Sequence, residues 1–180
     1  MARIEGVERG GLLVRLAYRV ARRRFGQVPE PLTLWAHSPR LMLAQAGYES
    51  AVERWTAVDG PTRSLVVLRA AQVIDCPWCL DFGSMLSRDA GVTPQQLDEL
   101  AGWRTSEAFA PAQRVALEYA EAATRTPMEV TDELVARLRE HYDEAALVEL
   151  AMLVAVENQR SRFNHGLGVG AQGYCRVPVP

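Results

Sequence analysis

Proline stands at the start of several amphipathic segments in this chain, and this feature limits the fold more than any other. Proline has no backbone N–H, so it is tolerated in the first turn of a helix and disfavoured in its interior. Segments of helical periodicity begin at or just before Pro39, Pro61, Pro77 and Pro94. No alternating run bounded by hairpin turns, the usual sign of a strand, is found in the sequence. The sequence therefore predicts an all-α fold.

Apolar residues recur at helical spacing through most of the chain. We predict helices at 8–25, 38–56, 61–74, 76–90, 110–125, 131–141 and 143–165, with a further one opening at the capping box of Thr93 and Gln96. A chain of 180 residues is long enough for one domain with its own core. We expect a single all-helical domain, with 1–55 as an N-terminal lobe, 61–170 as the core and 171–180 as an irregular tail.

Composition excludes several classes of function. The net charge of −2 gives no reason to expect binding to nucleic acid. All twenty basic residues are arginine, which excludes a lysine Schiff base or a P-loop lysine. The apolar runs are too short to span a bilayer, and no secretory signal is visible. We therefore expect a cytoplasmic protein that binds neither nucleic acid nor membranes.

Two of the three cysteines, Cys76 and Cys79, form a C-P-W-C motif. Because Pro77 disfavours helical geometry at the residue before it, one helix should end near Asp75 and the next should open at Pro77. Cys76 then lies near the N-cap, and Cys79 lies about three residues further on the same face. The free N–H groups and the positive end of a helix stabilise a thiolate there. Cysteines at this spacing can also close into a disulfide that is easily reduced.

Three interpretations of this pair are open: a redox dithiol, half of a metal site, or two buried and inert thiols. A zinc site needs two more ligands, but the sequence has no second CxxC and its three histidines are scattered. No metal is therefore expected. The GxGxxG match at 168–173 follows a predicted helix instead of a strand, so no nucleotide cofactor is expected. The third cysteine, Cys175, is either a surface thiol or a resolving thiol for a neighbouring subunit.

The motif and its surroundings resemble a known family. The stretch RSLVVLRAAQVIDCPWCLDFGSMLSRDAGVTPQQL is similar to the core of the carboxymuconolactone decarboxylase / AhpD-like (alkylhydroperoxidase) family, where a helix runs into a CxxC that opens the next helix. The later stretch DEAALVELAMLVAVENQRSRFNHGLGV is similar to the long helix of that family's redox branch. The resemblance covers about 61–170. It implies an all-α fold that assembles into homo-oligomers, either trimers or hexamers.

Redox members of that family reduce peroxides or pass electrons through the CxxC dithiol, and its decarboxylase members lack the pair. The resemblance therefore implies that Cys79 meets the peroxide and that Cys76 resolves the product. The family motif also has a glutamate twelve residues before the first cysteine and a histidine four residues after the second. In this chain those positions hold Ser64 and Gly83.

The polar stretch ENQRSRFNH, 157–165, offers substitutes for that missing pair. His165 is a candidate base and Glu157 a candidate residue to orient it. The alternative is an ordinary solvated helix end, at which the helix dipole favours a histidine.

We expect a thiol-dependent oxidoreductase with alkylhydroperoxidase-like chemistry. Its substrate would be a hydroperoxide or another small oxidant, its electron donor a thiol or dithiol, and it would need no cofactor. The alternative is a non-catalytic, oligomeric protein that senses redox state or binds a small molecule on the same scaffold. The absence of the family's glutamate and histidine favours that alternative.

Overall fold

The computed structural model describes residues 2–175, within which all regular structure is helical. The helices are α1 (Leu12–Phe25), α2 (Glu30–Trp35), α3 (Pro39–Val52), α4 (Gly60–Ile74), α5 (Pro77–Asp89), α6 (Pro94–Glu99), α7 (Pro111–Thr124), α8 (Asp132–Arg139) and α9 (Glu144–Leu167). A 3₁₀ turn, Leu100–Gly102, follows α6. The predicted all-α fold is confirmed. The first residue of the predicted lobe and the end of the predicted tail, 176–180, lie outside the described residues.

Proline marks the helix starts as the sequence predicts. Pro39, Pro61, Pro77 and Pro94 each occupy one of the first two positions of a helix. Thr93 and Gln96 form the predicted capping box of α6. Sequence analysis missed α2, because its six residues are too few to show helical periodicity.

The core is built around α4, which contacts α5, α7 and α9. Side chains on several faces of α4 are almost fully buried, as expected for a helix enclosed by other helices. One apolar cluster joins α4 to α7, α8 and α9, and a second joins it to α6 and the 3₁₀ turn. A third cluster surrounds the start of α5. The helices α1, α2 and α3 contribute to a smaller cluster of their own.

One buried carboxylate ties these helices together. Glu121 of α7 forms an ion pair with Arg69 of α4 at 3.2 Å and accepts hydrogen bonds from three further side chains. These donors are Trp103 at 3.2 Å, Arg104 at 2.8 Å and Arg125 at 2.9 Å. Burial alone would raise the pKa of Glu121, but the arginine and tryptophan donors hold its pKa below the ordinary value.

We expect Glu121→Gln to destabilise the fold by about 3 kcal/mol, since it leaves the buried Arg69 guanidinium without its charged partner. Glu118→Gln, on the same helix, is the matched control. Glu118 pairs with Arg137 at the surface, so its loss should cost less than about 1 kcal/mol. Urea unfolding measures both changes, and equal losses would contradict the role of Glu121.

The lowered pKa of Glu121 also determines the direction in which the stability of the fold changes with pH. A carboxyl whose folded pKa lies below its unfolded value stabilises the fold above the unfolded pKa, here 4.5. This stability is lost as the pH falls through the lowered, folded pKa. Acid unfolding of the wild type should therefore show a stability loss below pH 4.5 that is smaller in Glu121→Gln.

Candidate active site

The CxxC motif lies at the junction of α4 and α5. The chain leaves α4 at Asp75, whose backbone is left-handed with φ 60° and ψ 58°. Cys76 is the N-cap of α5, and its sulfur accepts a hydrogen bond from the Cys79 amide at 3.3 Å. The end of the first helix and the N-cap position of Cys76 are thus confirmed. The two cysteines form a disulfide, with their Cα atoms 5.3 Å apart.

The disulfide is enclosed in apolar side chains. Cys76 is fully buried, whereas Cys79 retains 6% of its surface, so Cys79 is the more accessible of the two. Side chains from α2, α4, α5, α9 and the segment after α9 surround the pair. They are Leu34, Ala71, Trp78, Phe163, Leu167 and Val169.

A buried asparagine of α9 contacts the more accessible cysteine. The Asn164 side chain donates a hydrogen bond from Nδ2 to Cys79 Sγ at 3.3 Å. Asn164 is 2% exposed, and its Oδ1 is buried with no hydrogen-bond partner. The two sulfurs therefore have different donors: a backbone amide for Cys76 and a side-chain amide for Cys79.

The segment after α9 is fastened over α5 by a second buried group, Asp81. Its carboxylate accepts three backbone N–H bonds, from Gln172 at 2.7 Å, Tyr174 at 3.1 Å and Cys175 at 2.6 Å. Sequence periodicity indicates that Asp81 points away from Cys79, and the structure shows what it contacts there. Residues 169–175, which we call the cover segment, thus run across the outside of the CxxC helix.

The Gln172 side chain links the cover segment to the motif and to α2. Its Oε1 accepts hydrogen bonds from Trp78 Nε1 and from the Glu30 amide, both at 2.7 Å. Its Nε2 donates to the Val28 carbonyl at 3.3 Å. Trp78, one of the two residues between the cysteines, is therefore held by the same glutamine that holds the start of α2.

Aromatic rings complete the cover. Trp78 stacks on Phe82 with ring centroids 4.7 Å apart, and Tyr174 meets the Phe82 ring edge-on at 5.0 Å. Burial, together with the nearby Asp81 carboxylate, raises the pKa of Tyr174 to about 12. Its phenol therefore stays neutral at physiological pH and adds no charge beside the disulfide.

The other two predicted site residues lie on α9, but they are not joined to each other. Glu157 is buried and accepts hydrogen bonds from Ser161 at 2.6 Å and Arg160 at 3.5 Å. His165 is exposed, and its Nδ1 contacts the Asp75 carbonyl at 2.8 Å. Eight residues of helix separate the two side chains by about 12 Å. Burial raises the pKa of the Glu157 carboxyl, and the Arg160 charge opposes that shift.

The positions of the family's relay pair hold neither a carboxylate nor an imidazole. Ser64 lies half-buried on α4. At Gly83 a Cβ atom would lie only 3.0 Å from Leu68 Cδ2, so a histidine there needs Leu68 to shift. This close packing of α5 on α4 gives a physical reason for glycine at this position.

The described residues contain no group of three or more His, Cys, Asp or Glu side chains placed to hold a metal ion. Within the same part of the chain, no helix has the length and apolar character needed to cross a membrane. Cys175 lies at the end of the cover segment, where its sulfur accepts a hydrogen bond from Arg88 at 3.5 Å.

Comparison with known proteins identifies the family. The model of the carboxymuconolactone decarboxylase family matches residues 39–122. The chain is also 38% identical to the uncharacterised protein YnjA of Escherichia coli over 168 residues. The matched region spans 93% of this chain and 92% of that protein. The chain belongs to the carboxymuconolactone decarboxylase family. The resemblance seen in the sequence is thereby confirmed.

Two further comparisons give a partial sequence match and a similar fold. An alkyl hydroperoxide reductase of Mycobacterium tuberculosis is 34% identical over 96 residues, which span 52% of this chain and 27% of that protein. The crystal structure of an alkylhydroperoxidase AhpD core from Ralstonia eutropha superposes with a TM-score of 0.82 at 20% identity, covering 98% and 97% of the two chains. The predicted AhpD-like fold is confirmed.

Sequence analysis of this family member noted the polar end of α9 but missed the contact of Asn164 with Cys79, because 85 residues separate the two. It also missed the cover segment. The signals that the sequence offers for it are the acid Asp81 within the CxxC helix and Gln172 in the glycine-rich tail.

If the cover segment protects the disulfide, Asp81→Ala should speed its reduction by dithiothreitol, since the segment loses three backbone partners at once. We expect an increase of about tenfold, measured by mass spectrometry after quenched alkylation. Asp89→Ala is the matched control, because Asp89 is an exposed acid at the other end of the same helix. Equal reduction rates for the two variants would contradict a protective role.

Proposed function

We propose that this chain is a thiol-dependent oxidoreductase with alkylhydroperoxidase-like activity at Cys76 and Cys79. The observation that carries the proposal is a closed CxxC disulfide at a helix N-terminus, with a hydrogen-bond donor directed at each sulfur. Both donors stabilise negative charge on sulfur, and a thiolate is the reactive form of cysteine. The alkyl hydroperoxide reductase among the relatives supports a peroxide as the oxidant.

The proposed cycle balances with a dithiol as the electron donor. The donor reduces the disulfide to two thiols and becomes a disulfide itself. The Cys79 thiolate then attacks the hydroperoxide ROOH, breaking the O–O bond to give Cys79–SOH and, with the thiol's proton, the alcohol ROH. The Cys76 thiol attacks Cys79–SOH, releasing water and closing the disulfide. Cys79 takes the first role because it is the more accessible sulfur.

His165 and Glu157 have separate parts in this proposal. His165 holds the carbonyl of Asp75, the residue before Cys76, and so fixes the bend from which α5 starts. Glu157 bonds Ser161 and Arg160 within α9, and Arg160 in turn pairs with Glu49 of α3. Proton transfer by His165 stays a prediction. A change in the pH profile of peroxide consumption in His165→Gln would support it.

The cysteine variants test the proposal directly. With cumene hydroperoxide and dithiothreitol, the wild type should consume many equivalents of peroxide per chain, and Cys79→Ser should lose at least about a hundredfold of that rate. Cys76→Ser should form Cys79–SOH, which dimedone traps. Cys175→Ser is the control and should retain turnover. Unchanged peroxide consumption in Cys79→Ser would reject the assignment.

The burial of the disulfide favours a second candidate, a redox sensor on the same scaffold. Both sulfurs are buried, and Ser64 and Gly83 supply no base. A sensor would consume one equivalent of peroxide per dithiol and then stop, even with reductant present at low concentration. The stoichiometry in the same assay separates the two functions. Either function suits the cytoplasm, where thiol donors reduce disulfides.

We also propose that the chain forms a homo-oligomer. Leu12, Leu16 and Val20 recur every four residues along α1 and are each more than half exposed, Leu12 by 82%. Val148 and Met152 form a similar exposed pair on α9. Exposed apolar rows of this kind are typical of helix-packing interfaces. A trimer or a hexamer is the expected state.

Light scattering after size exclusion tests the assembly. The wild type should elute as an oligomer, and Leu16→Glu/Val20→Glu should shift it toward a single chain, because charges would be buried at the interface. Arg15 lies beside the apolar row on α1, so Arg15→Glu is the matched control. A wild type that stays monomeric at high concentration would reject the proposal.

A further inference from the structure

The position of Asn164 indicates a role that the family motif does not contain. The residue is buried on α9, and its Nδ2 lies 3.3 Å from Cys79 Sγ. Its Oδ1 is buried without a partner, so the carboxamide is not placed to satisfy its own polar groups. An unpartnered buried oxygen is costly, and a leucine of similar size would avoid that cost.

We infer that Asn164 stabilises the thiolate of Cys79 in the reduced protein and so selects Cys79, rather than Cys76, as the reactive thiol. An N–H donor gains strength when its acceptor becomes charged, so the bond favours ionised over neutral Cys79. This inference deepens the proposed function and rests on it for the reaction that the thiolate performs. The effect of Asn164 on the pKa of the Cys79 thiol does not depend on which oxidant the thiolate reacts with.

Asn164 supplies a polar group beside Cys79 in a chain that has glycine where the family motif has histidine. At Gly83 a Cβ atom would lie 3.0 Å from Leu68 Cδ2, so a side chain at this position of α5 needs Leu68 to shift. The donor comes instead from α9, which packs against both α4 and α5. An amide does not take a proton at neutral pH, so Asn164 stabilises the thiolate without acting as its base. The proton is released to solvent or to the departing alkoxide.

The two sulfurs should respond differently to the loss of this donor. Cys76 receives its hydrogen bond from the Cys79 backbone amide, which no substitution at Asn164 removes. A substitution at Asn164 should therefore raise the pKa of the Cys79 thiol and leave that of Cys76 unchanged. A general loss of packing would disturb both thiols.

The experiment measures each thiol alone, in a Cys175→Ser background. Cys76→Ser leaves Cys79 as the single thiol, and Cys79→Ser leaves Cys76. The pH dependence of alkylation by iodoacetamide gives each pKa. Adding Asn164→Leu should raise the pKa of Cys79 by about one pH unit or more and leave that of Cys76 in place. Asn158→Leu is the matched control, since Asn158 lies on the same helix and bonds Thr124 instead of sulfur.

Asn164→Asp provides a second variant that keeps the shape of the side chain. It removes the N–H donor and adds a negative charge, so the pKa of Cys79 should rise at least as far as in Asn164→Leu. Thermal unfolding of the oxidised proteins checks the fold. Asn164→Leu should unfold at the same temperature as the wild type or higher, because it removes the unpartnered oxygen.

An unchanged or lowered pKa of Cys79 in both Asn164 variants would overturn the inference, and a lowered value would mean that Oδ1 faces the sulfur. Equal shifts at Cys76 and Cys79 would overturn it as well. Failure of the proposed function has a different signature. A wild type that consumes no peroxide, but whose Cys79 pKa still depends on Asn164, would reject the enzyme and leave this inference standing.

Discussion

The junction at which α4 ends and α5 begins is the constraint on which the rest of the structure depends. The chain bends at Asp75 and restarts at Pro77, so the N-terminus of α5 is fixed against the most enclosed helix of the fold. Two adjacent residues of α9 hold this junction, His165 through the Asp75 carbonyl and Asn164 through Cys79. The sulfurs are therefore positioned by three packed helices, which is the kind of rigid support that a reactive site needs.

Burial and reactivity are reconciled by the way the disulfide is covered. Toward the interior, the pair is closed by helices whose separation would unfold the core. Toward the outside, the cover segment is held by its bonds to the Asp81 carboxylate, by the side-chain bonds of its own Gln172 and by the packing of Val169 and Tyr174. Contacts of this kind can open locally at much lower free energy than the whole fold. An enzyme and a sensor on this scaffold would differ in how readily that opening admits a substrate.

Sequence alone predicts the local features of the fold and of the site. The helix starts follow from Pro39, Pro61, Pro77 and Pro94, because proline acts on its own backbone and on the residue before it. The N-cap position of Cys76 follows from Pro77 in the same way. Sequence does not predict the partners of the motif. The angle around α5 indicates that Asp81 points away from Cys79, but it does not show which segment Asp81 binds, since that segment lies about 90 residues away.

The same limit explains the prediction for α9. Residues 157–165 stood out as polar on an apolar helix, and burial of Glu157 agrees with that signal. Which of these polar groups meets the sulfur depends on the crossing of α5 and α9, and periodicity within one helix carries no information about a crossing. The exposed His165 and the buried Asn164 are neighbours in sequence, but about 100° of helical rotation sends them to different surroundings.

Two buried polar atoms without a hydrogen-bond partner belong to Asn164, which contacts Cys79, and to Tyr174 on the cover segment. Among residues 2–175, the buried side-chain atoms without a hydrogen-bond partner are Arg69 Nε, Ser84 Oγ, Asn164 Oδ1 and Tyr174 OH. Ser84 lies on the CxxC helix, Asn164 contacts Cys79, and Tyr174 lies on the cover segment. Each such atom costs roughly 1–3 kcal/mol, so a fold selected for stability alone would have replaced them.

Among these atoms, Asn164 Oδ1 belongs to a side chain that contacts the disulfide directly. Reduction adds an S–H group at Cys79, in contact with the Asn164 carboxamide. A carboxamide can accept from a thiol through Oδ1 or donate to a thiolate through Nδ2, and the bond to the charged form is the stronger. Asn164 therefore meets a charged acceptor only in the reduced protein, where its Nδ2 bond to the Cys79 thiolate is stronger than its bond to the disulfide sulfur.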